Sequence, residues 1–278
     1  MIGSGFNTID TADVYSRWVE GNQGGESETI LGKWMKDRDV RDKITLITKV
    51  GSDMGQGHTD LTEKHILKAA EDSLRRLQTD YIDLYLTHWD DSRTPVEETL
   101  GAYQKLIQAG KVRFIGASNL SPDRLTASLE ASEKEGLPRY EVFQPEYNLY
   151  ARQGFEQGVA TICEKAGLGV ITYFSLASGF LTGKYRTEED FGKSARGEGM
   201  LKYFDERGMK ILAALDDIAA TYKVSQAGVA LAWLIHKPMV TAPIASATKS
   251  SQFQAFIEAT QITLTSTDME QLDDASKY

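Results

Sequence analysis

Cysteine is nearly absent from this chain: Cys163 is the only one in 278 residues, so no intramolecular disulfide can form and a reducing compartment is expected. It falls in an apparent helical run, 158–166, where a buried structural thiol is the expected role rather than a nucleophile. Positive charge is in deficit. Lys and Arg total 31 against 40 Asp and Glu, and the net charge of −9 argues against a nucleic-acid partner, which needs a basic face to neutralise phosphates. Long apolar runs are missing, as is a basic-then-apolar leader, so no membrane partner is expected and the chain reads as cytoplasmic. No metal site is expected. The dinucleotide fingerprint GxGxxG is absent too. The nearest approach to a phosphate loop, Gly179 to Tyr185, has one residue too few between its glycines and a Tyr where Ser or Thr would hold magnesium.

What is present describes a folded α/β protein. Hydrophobic residues make up 41% and charged residues 26%, and the length suits one domain over residues 1–278. Seven β-rich runs are legible: Phe6–Asp10, Ile44–Val50, Tyr81–His88, Val112–Ala117, Glu141–Gln144, Leu168–Phe174 and Val240–Ile244. Several are apolar almost throughout, as parallel strands covered on both faces are. Helical patterns separate them. Thr62 caps one with the stripe Ile66, Ala70, Leu74 and Leu77; Thr94-Pro95-Val96-Glu97 reads as a capping box, with Gly110 closing that helix; Ser121-Pro122 and Ser225 open two more. Strands alternating with helices imply right-handed βαβ units and a parallel sheet. An open doubly wound sheet is possible, but a (β/α)8 TIM barrel, with seven βα units evident, is favoured by where the polar residues fall. Asp10, Lys49, His88, Ser118, Asn119, Gln144 and Tyr173 all stand at or just past the C-terminal ends of the strand runs, the rim where barrel enzymes place their sites.

Convergence of those ends would gather Asp10, Tyr15, Lys49 and His88. A tyrosine can protonate a carbonyl oxygen, and a neighbouring ammonium, Lys49, would lower its pKa toward the working pH. Asp10 would hold Lys49 charged, and His88 would orient the carbonyl or help relay the proton. Hydride addition to C=O, with a proton to oxygen, is the chemistry such a set serves. Taken singly, each residue has a duller role: Asp10 as a turn cap, Lys49 as a solvated strand end, His88 as a hydrogen-bonded rim histidine.

Motifs in order along the chain resemble those of the aldo-keto reductase family. Phe6 to Tyr15 resembles the strand motif that supplies the aspartate and the acid tyrosine; Ser73 to Tyr85 looks like the central signature leading to His88; and Ile47-Thr48-Lys49-Val50 is similar to the lysine strand. Gly110-Lys111-Val112-Arg113 and Gly116-Ala117-Ser118-Asn119 match further hallmarks. The resemblance implies a nicotinamide cofactor, its carboxamide held by Ser118, Asn119 and Gln144 and its ring stacked on Tyr173. Ser175, Leu176, Ser178, Gly179, Leu181, Thr182 and Lys184 resemble the pyrophosphate loop. Ser246, Thr248, Lys249 and Gln252 resemble the adenosine end, where Ala255-Phe256 replaces the usual Glu-Asn pair. Lys249 and the hydroxyls favour NADPH over NADH. The family's opening hairpin and first βα unit are not evident, and Met1 to Gly5 looks like the end of that first helix, so an N-terminally incomplete barrel is expected.

The substrate expected is a small aldehyde or ketone, with Trp18 and Trp89 offering aromatic walls to the pocket; Trp18 equally suits a lid anchor or surface contact. Two other roles remain open. One is a nicotinamide-binding regulatory subunit resembling potassium-channel beta subunits, since these keep the same four residues. The other is an inactive, incomplete barrel.

Overall fold

Apolar runs and helix caps place the elements close to where the spacing predicts. The computed structural model describes residues 2–193 and 197–278. In chain order its strands and main helices are β1 (Thr8–Asp10), α1 (Glu26–Arg38), β2 (Thr45–Val50), α2 (Glu63–Leu77), β3 (Ile82–Thr87), α3 (Val96–Gln108), β4 (Val112–Ser118), α4 (Pro122–Glu135), β5 (Val142–Gln144), α5 (Ala160–Ala166), β6 (Gly169–Thr172), α6 (Glu206–Tyr222), α7 (Gln226–Ile235), β7 (Ala242–Pro243), α8 (Phe253–Gln261) and α9 (Ser266–Ala275). The chain forms two compact units, one of residues 1–144 with 165–168, the other of 145–164 with 169–278.

In the first unit, β1 to β5 pair in parallel and in strict chain order. A doubly wound sheet reverses its order at a switch point, whereas a barrel keeps adding strands on the same side. No reversal occurs here. Every residue of β2 after Thr45 is buried, as expected of a strand covered on both faces. Thr48, polar within that run, is satisfied by donating to Glu28 Oε1 at 2.6 Å. Gly116 lets the neighbouring strands close up, because a Cβ there would lie 2.5 Å from the Val142 carbonyl oxygen and 2.6 Å from a Leu86 methyl. Met35, Ile44, Leu46 and Leu77 form a core cluster under α1 and α2.

A second device sits at the N-terminal ends of these strands. The guanidinium carbons of Arg41 and Arg113 each lie 3.9 Å from the centroid of the Tyr81 ring, and both side chains also bond Asp83 at 2.8 Å. Asp83 accepts the Leu46 N–H as well, at 2.9 Å. Part of the Tyr81–Asp83 signature is therefore a structural clamp.

Thr62, Ser121 and Ser225 cap their helices as expected, accepting from the N–H groups of His65, Arg124 and Gly228. The box expected at Thr94 does not form. Pro95 is the cap residue of α3, and the Thr94 hydroxyl donates instead to Asp91 Oδ2 at 2.8 Å, a buried carboxylate being the stronger acceptor. At the chain start, Ile2–Ser4 is a single 3₁₀ turn; Met1, the first residue of the expected helix end, lies outside the described residues.

In the second unit, β6 and β7 pair in parallel, and Tyr173 bridges to Glu146. β7 spans only two of the five residues in its apolar run, since Pro243 brings no N–H to extend the ladder. The apolar helix α7 is buried from Ala227 through Leu234 and so forms core. No single helix among the described residues is long and apolar enough to cross a membrane. Cys163 is buried, and desolvation pushes its thiol up to about 11, which fits the structural role expected of it.

Candidate active site

Strand ends carry the site. Asp10 ends β1, Lys49 lies next to last in β2, and His88 follows β3 directly, its N–H donating to the Val50 carbonyl at 2.8 Å. Lys49 is fully buried, and its ammonium spends all three hydrogens: on Asp10 Oδ1 at 2.6 Å, the Thr11 carbonyl at 2.7 Å and the Tyr15 hydroxyl oxygen at 3.0 Å. The last bond has a directional consequence. It occupies a lone pair on the phenol oxygen, so the phenol hydrogen must point elsewhere. Its one acceptor among the described residues is Asp10 Oδ1, at 3.5 Å a long and weak bond. The Tyr15 proton is therefore only loosely held by the protein.

The electrostatics correct one expectation. Lys49 does draw the Tyr15 pKa down, but desolvation outweighs it and Asp10 opposes it, so the net displacement is upward from the usual value of 10.0. At neutral pH the hydroxyl is fully protonated, the state a proton donor needs. For Lys49, burial works against the charge, yet Asp10 and Tyr15 more than offset it and the pKa is raised. His88 is pushed down to about 3 by burial and by the Lys49 charge. It is therefore neutral at neutral pH, a state in which the ring carries one N–H to donate.

Asp10 also reaches the second group of expected residues. Its Oδ2 accepts from Gln144 Nε2 at 2.8 Å. The Ser118 hydroxyl donates to the Gln144 carbonyl at 2.7 Å, and Asn119 Nδ2 donates to the His88 carbonyl at 2.9 Å and to Ser118 Oγ at 3.0 Å. Asn119 takes a left-handed backbone, φ 52°, a turn Asn tolerates better than most residues and one that swings its amide back to the rim. All seven of these residues belong to one linked network in the first unit.

Aromatic rings line the opening. The Tyr15 ring meets Trp18 at 5.9 Å and His88 at 5.8 Å, both edge-on, and Trp89 lies 6.2 Å from His88. Trp18 is 74% exposed and Trp89 47%.

In the second unit, the stretch from Phe174 to Thr182 folds back on itself. Phe174, Ala177, Ser178 and Gly179 all have positive φ, and the N–H groups of Gly179 and Leu181 return to the Leu176 carbonyl at 2.8 and 3.3 Å. The Ser175 hydroxyl is spent on the Thr172 carbonyl and the Thr182 hydroxyl on that of Gly179. The Lys184 side chain lies over Gly179: a Cβ there would meet its Cε and Nζ first, at 3.5 Å. Tyr173, in a bridge to Glu146, lies 5.2 Å from the Phe174 ring. Further on, Ser246, Thr248 and Lys249 are exposed, while Gln252 turns inward on its own loop, its Oε1 accepting from the N–H groups of Thr248 and Lys249 at 2.7 and 3.2 Å.

Two buried residues of the first unit were not singled out by the sequence. Ser52 Oγ lies 2.9 Å from His88 Nδ1. Asp13 is 2% exposed, its Oδ1 has no partner among the described residues, and burial with the Glu28 charge pushes its carboxyl up to about 7. Because this folded pKa exceeds the ordinary 3.8, stability is lost as pH rises from about 4 to about 7 and then levels off. The Asp13→Asn variant is therefore expected to melt higher than the parent at about pH 8, by up to about 4 kcal/mol of stability, with the gain vanishing near pH 4. Melting curves across that range test this; a constant difference would refute it.

Comparison with known proteins shows the family. A model described as the aldo/keto reductase family matches residues 1–277. The chain is 34% identical to the aldo-keto reductase YhdN of Bacillus subtilis over 98% of its length and 80% of that protein's. It is 32% identical to protein tas of Escherichia coli, covering 95% of this chain and 83% of the relative. A probable voltage-gated potassium channel subunit beta of rice is also 32% identical, over 93% and 79%.

Proposed function

The chain belongs to the aldo/keto reductase family, α/β barrels of the (β/α)8 type that act as nicotinamide-dependent reductases, and we propose that it reduces aldehydes or ketones to alcohols with NADPH. One observation carries this reading: Lys49 spends its hydrogens on Asp10, Thr11 and Tyr15, which leaves the Tyr15 proton with only a long, 3.5 Å contact to Asp10 and so available to a substrate oxygen. The residues present fit the cofactor. Gln144, which spends one amide hydrogen on Asp10, keeps a second donor and its amide oxygen for a carboxamide beside Ser118 and Asn119, and Tyr173 offers a ring face. The positive-φ backbone at Gly179, with the Lys184 ammonium lying over it, suits a diphosphate. Exposed Lys249, Ser246 and Thr248 suit a 2′-phosphate.

When bound, the reduced nicotinamide supplies the hydride. The protein does the rest. His88 donates a hydrogen bond that orients the carbonyl oxygen, Tyr15 delivers its phenol proton to that oxygen as negative charge develops there, and Lys49 stabilises the resulting phenolate. Asp10 fixes Lys49 and, through Gln144, holds the carboxamide residues in register with the acid. Exposed Trp18 and Trp89 favour carbonyl compounds with an apolar or aromatic body. No nucleic acid or membrane enters this reading, and a reducing cytoplasm is the compartment it assumes.

The test is consumption of reduced nicotinamide with a panel of aldehydes and ketones. Turnover is expected with NADPH, and its Kd should lie below that of NADH by about tenfold, the effect of one charge-assisted hydrogen bond. Tighter NADH binding would overturn the cofactor choice. Cofactor binding without turnover of any compound would favour a regulatory role instead, a reading motivated by the similarity to the rice channel subunit.

A further inference from the structure

His88 has two ring nitrogens, and only one can serve the substrate. The other, Nδ1, lies 2.9 Å from the hydroxyl of Ser52, two residues past the end of β2. Ser52 is 4% exposed, and its hydroxyl has no other partner among the described residues. A buried hydroxyl whose only neighbouring acceptor is an imidazole nitrogen donates to it, since the alternative strands its own proton. A nitrogen that accepts is unprotonated, so the ring proton is placed on Nε2. The backbone that carries the ring is held as well: the His88 N–H bonds the Val50 carbonyl at 2.8 Å, and the His88 carbonyl accepts from Asn119 at 2.9 Å.

We propose that Ser52 is a positioning residue for the reduction, fixing His88 as the Nε2–H tautomer with that hydrogen aimed at the carbonyl oxygen. This rests on the reductase reading of the site. Without Ser52, Nδ1 is left with no donor, and the ring is free to take either tautomer or to rotate. A misdirected His88 withdraws one of the two hydrogen bonds to the oxygen while leaving the Tyr15–Lys49–Asp10 set untouched. The groups facing the ring are Lys49, whose charge opposes protonation, the Tyr15 phenol and Trp89. Donation from Ser52 also favours the neutral ring, so its removal lets Nδ1 accept a proton more readily.

Two readouts separate this role from a structural one. The first is ¹⁵N NMR of the imidazoles in the intact protein, with His88 assigned among the four histidines by difference from His88→Gln. The parent is expected to show His88 protonated at Nε2 and bare at Nδ1, and Ser52→Ala a mixture. A parent His88 protonated at Nδ1 would overturn the proposal whether or not the protein turns over any carbonyl compound. The second is the pH profile of kcat. Ser52→Ala is expected to lower kcat about tenfold, the worth of one misplaced hydrogen bond, to leave the NADPH Kd unchanged, and to move the acidic limb to higher pH. Ser52→Thr, which keeps the hydroxyl, should restore both rate and limb. Full kcat in a folded Ser52→Ala variant would refute the role, as would equal loss in Ala and Thr with both folded.

Discussion

Replacing Tyr15 with Phe is expected to lower kcat for carbonyl reduction by about a thousandfold, the middle of the range for removal of a general acid, with NADPH binding unchanged. The expectation follows from where the proton sits. Lys49 fills one lone pair on the phenol oxygen from 3.0 Å, and the bond the hydroxyl donates to Asp10, at 3.5 Å, is long enough to give way to a substrate oxygen. Phe keeps the ring that packs against Trp18 and His88, so the fold should be retained, at the cost of the one hydrogen bond that buried Lys49 loses. Because burial holds the tyrosine pKa above its usual value, the parent rate should stay level from neutral pH up to the ordinary tyrosine range and fall only beyond it. A Tyr15→Phe variant with more than a tenth of the parent rate would remove Tyr15 from its role, and His88, neutral at that pH, could not take its place as the acid.

The second large effect is on the fold as well as on the rate. Lys49→Met leaves the Asp10 carboxylate, 7% exposed at its side chain, without its ammonium partner. Removing one member of a buried ion pair destabilises by about 3 to 5 kcal/mol, because the remaining charge is stranded. A melting point lower by roughly 10 °C is expected, from about 2 to 4 °C per kcal/mol at this size. Carbonyl reduction should be abolished to within detection. Adding Asp10→Asn should return part of the stability and none of the rate, since it removes the stranded charge but not the missing ammonium. If Lys49→Met melts with the parent, the ion pair is not the buried clamp its distances indicate.

The order of strands, their parallel pairing and the four converging residues were legible because each left a mark in one dimension. Apolar runs announce strands covered on both faces, and polar residues at their C-terminal ends announce the rim. Asp10, Lys49, His88, Ser118, Asn119 and Gln144 all meet as that pattern required. What escaped had no periodicity to announce it. Ser52 is one hydroxyl in a glycine-bearing loop, and only the fold brings it to His88. Asp13 sits three residues from Asp10 and looks as solvated as any acid in a turn; its burial against Glu28 is a tertiary fact. The direction of the Tyr15 shift was misjudged for the same reason: charge can be counted in a sequence, desolvation cannot. Thr94 had the spacing of a cap, but a better acceptor stood three residues upstream.

The Tyr81 clamp lies at the opposite ends of β2, β3 and β4 from Asp10, Lys49 and His88. Arg41, Asp83 and Arg113 tie those three strands together there. Side chains alternate between the two faces of a strand, so a slip of one residue would turn Lys49 to the other face of the sheet. The register that brings Lys49 to Asp10 and Tyr15 is thus guarded by a stack of two guanidinium groups on a phenol at the base of the sheet. A substitution there is expected to disturb the Asp10–Lys49–Tyr15 set without touching any of its members.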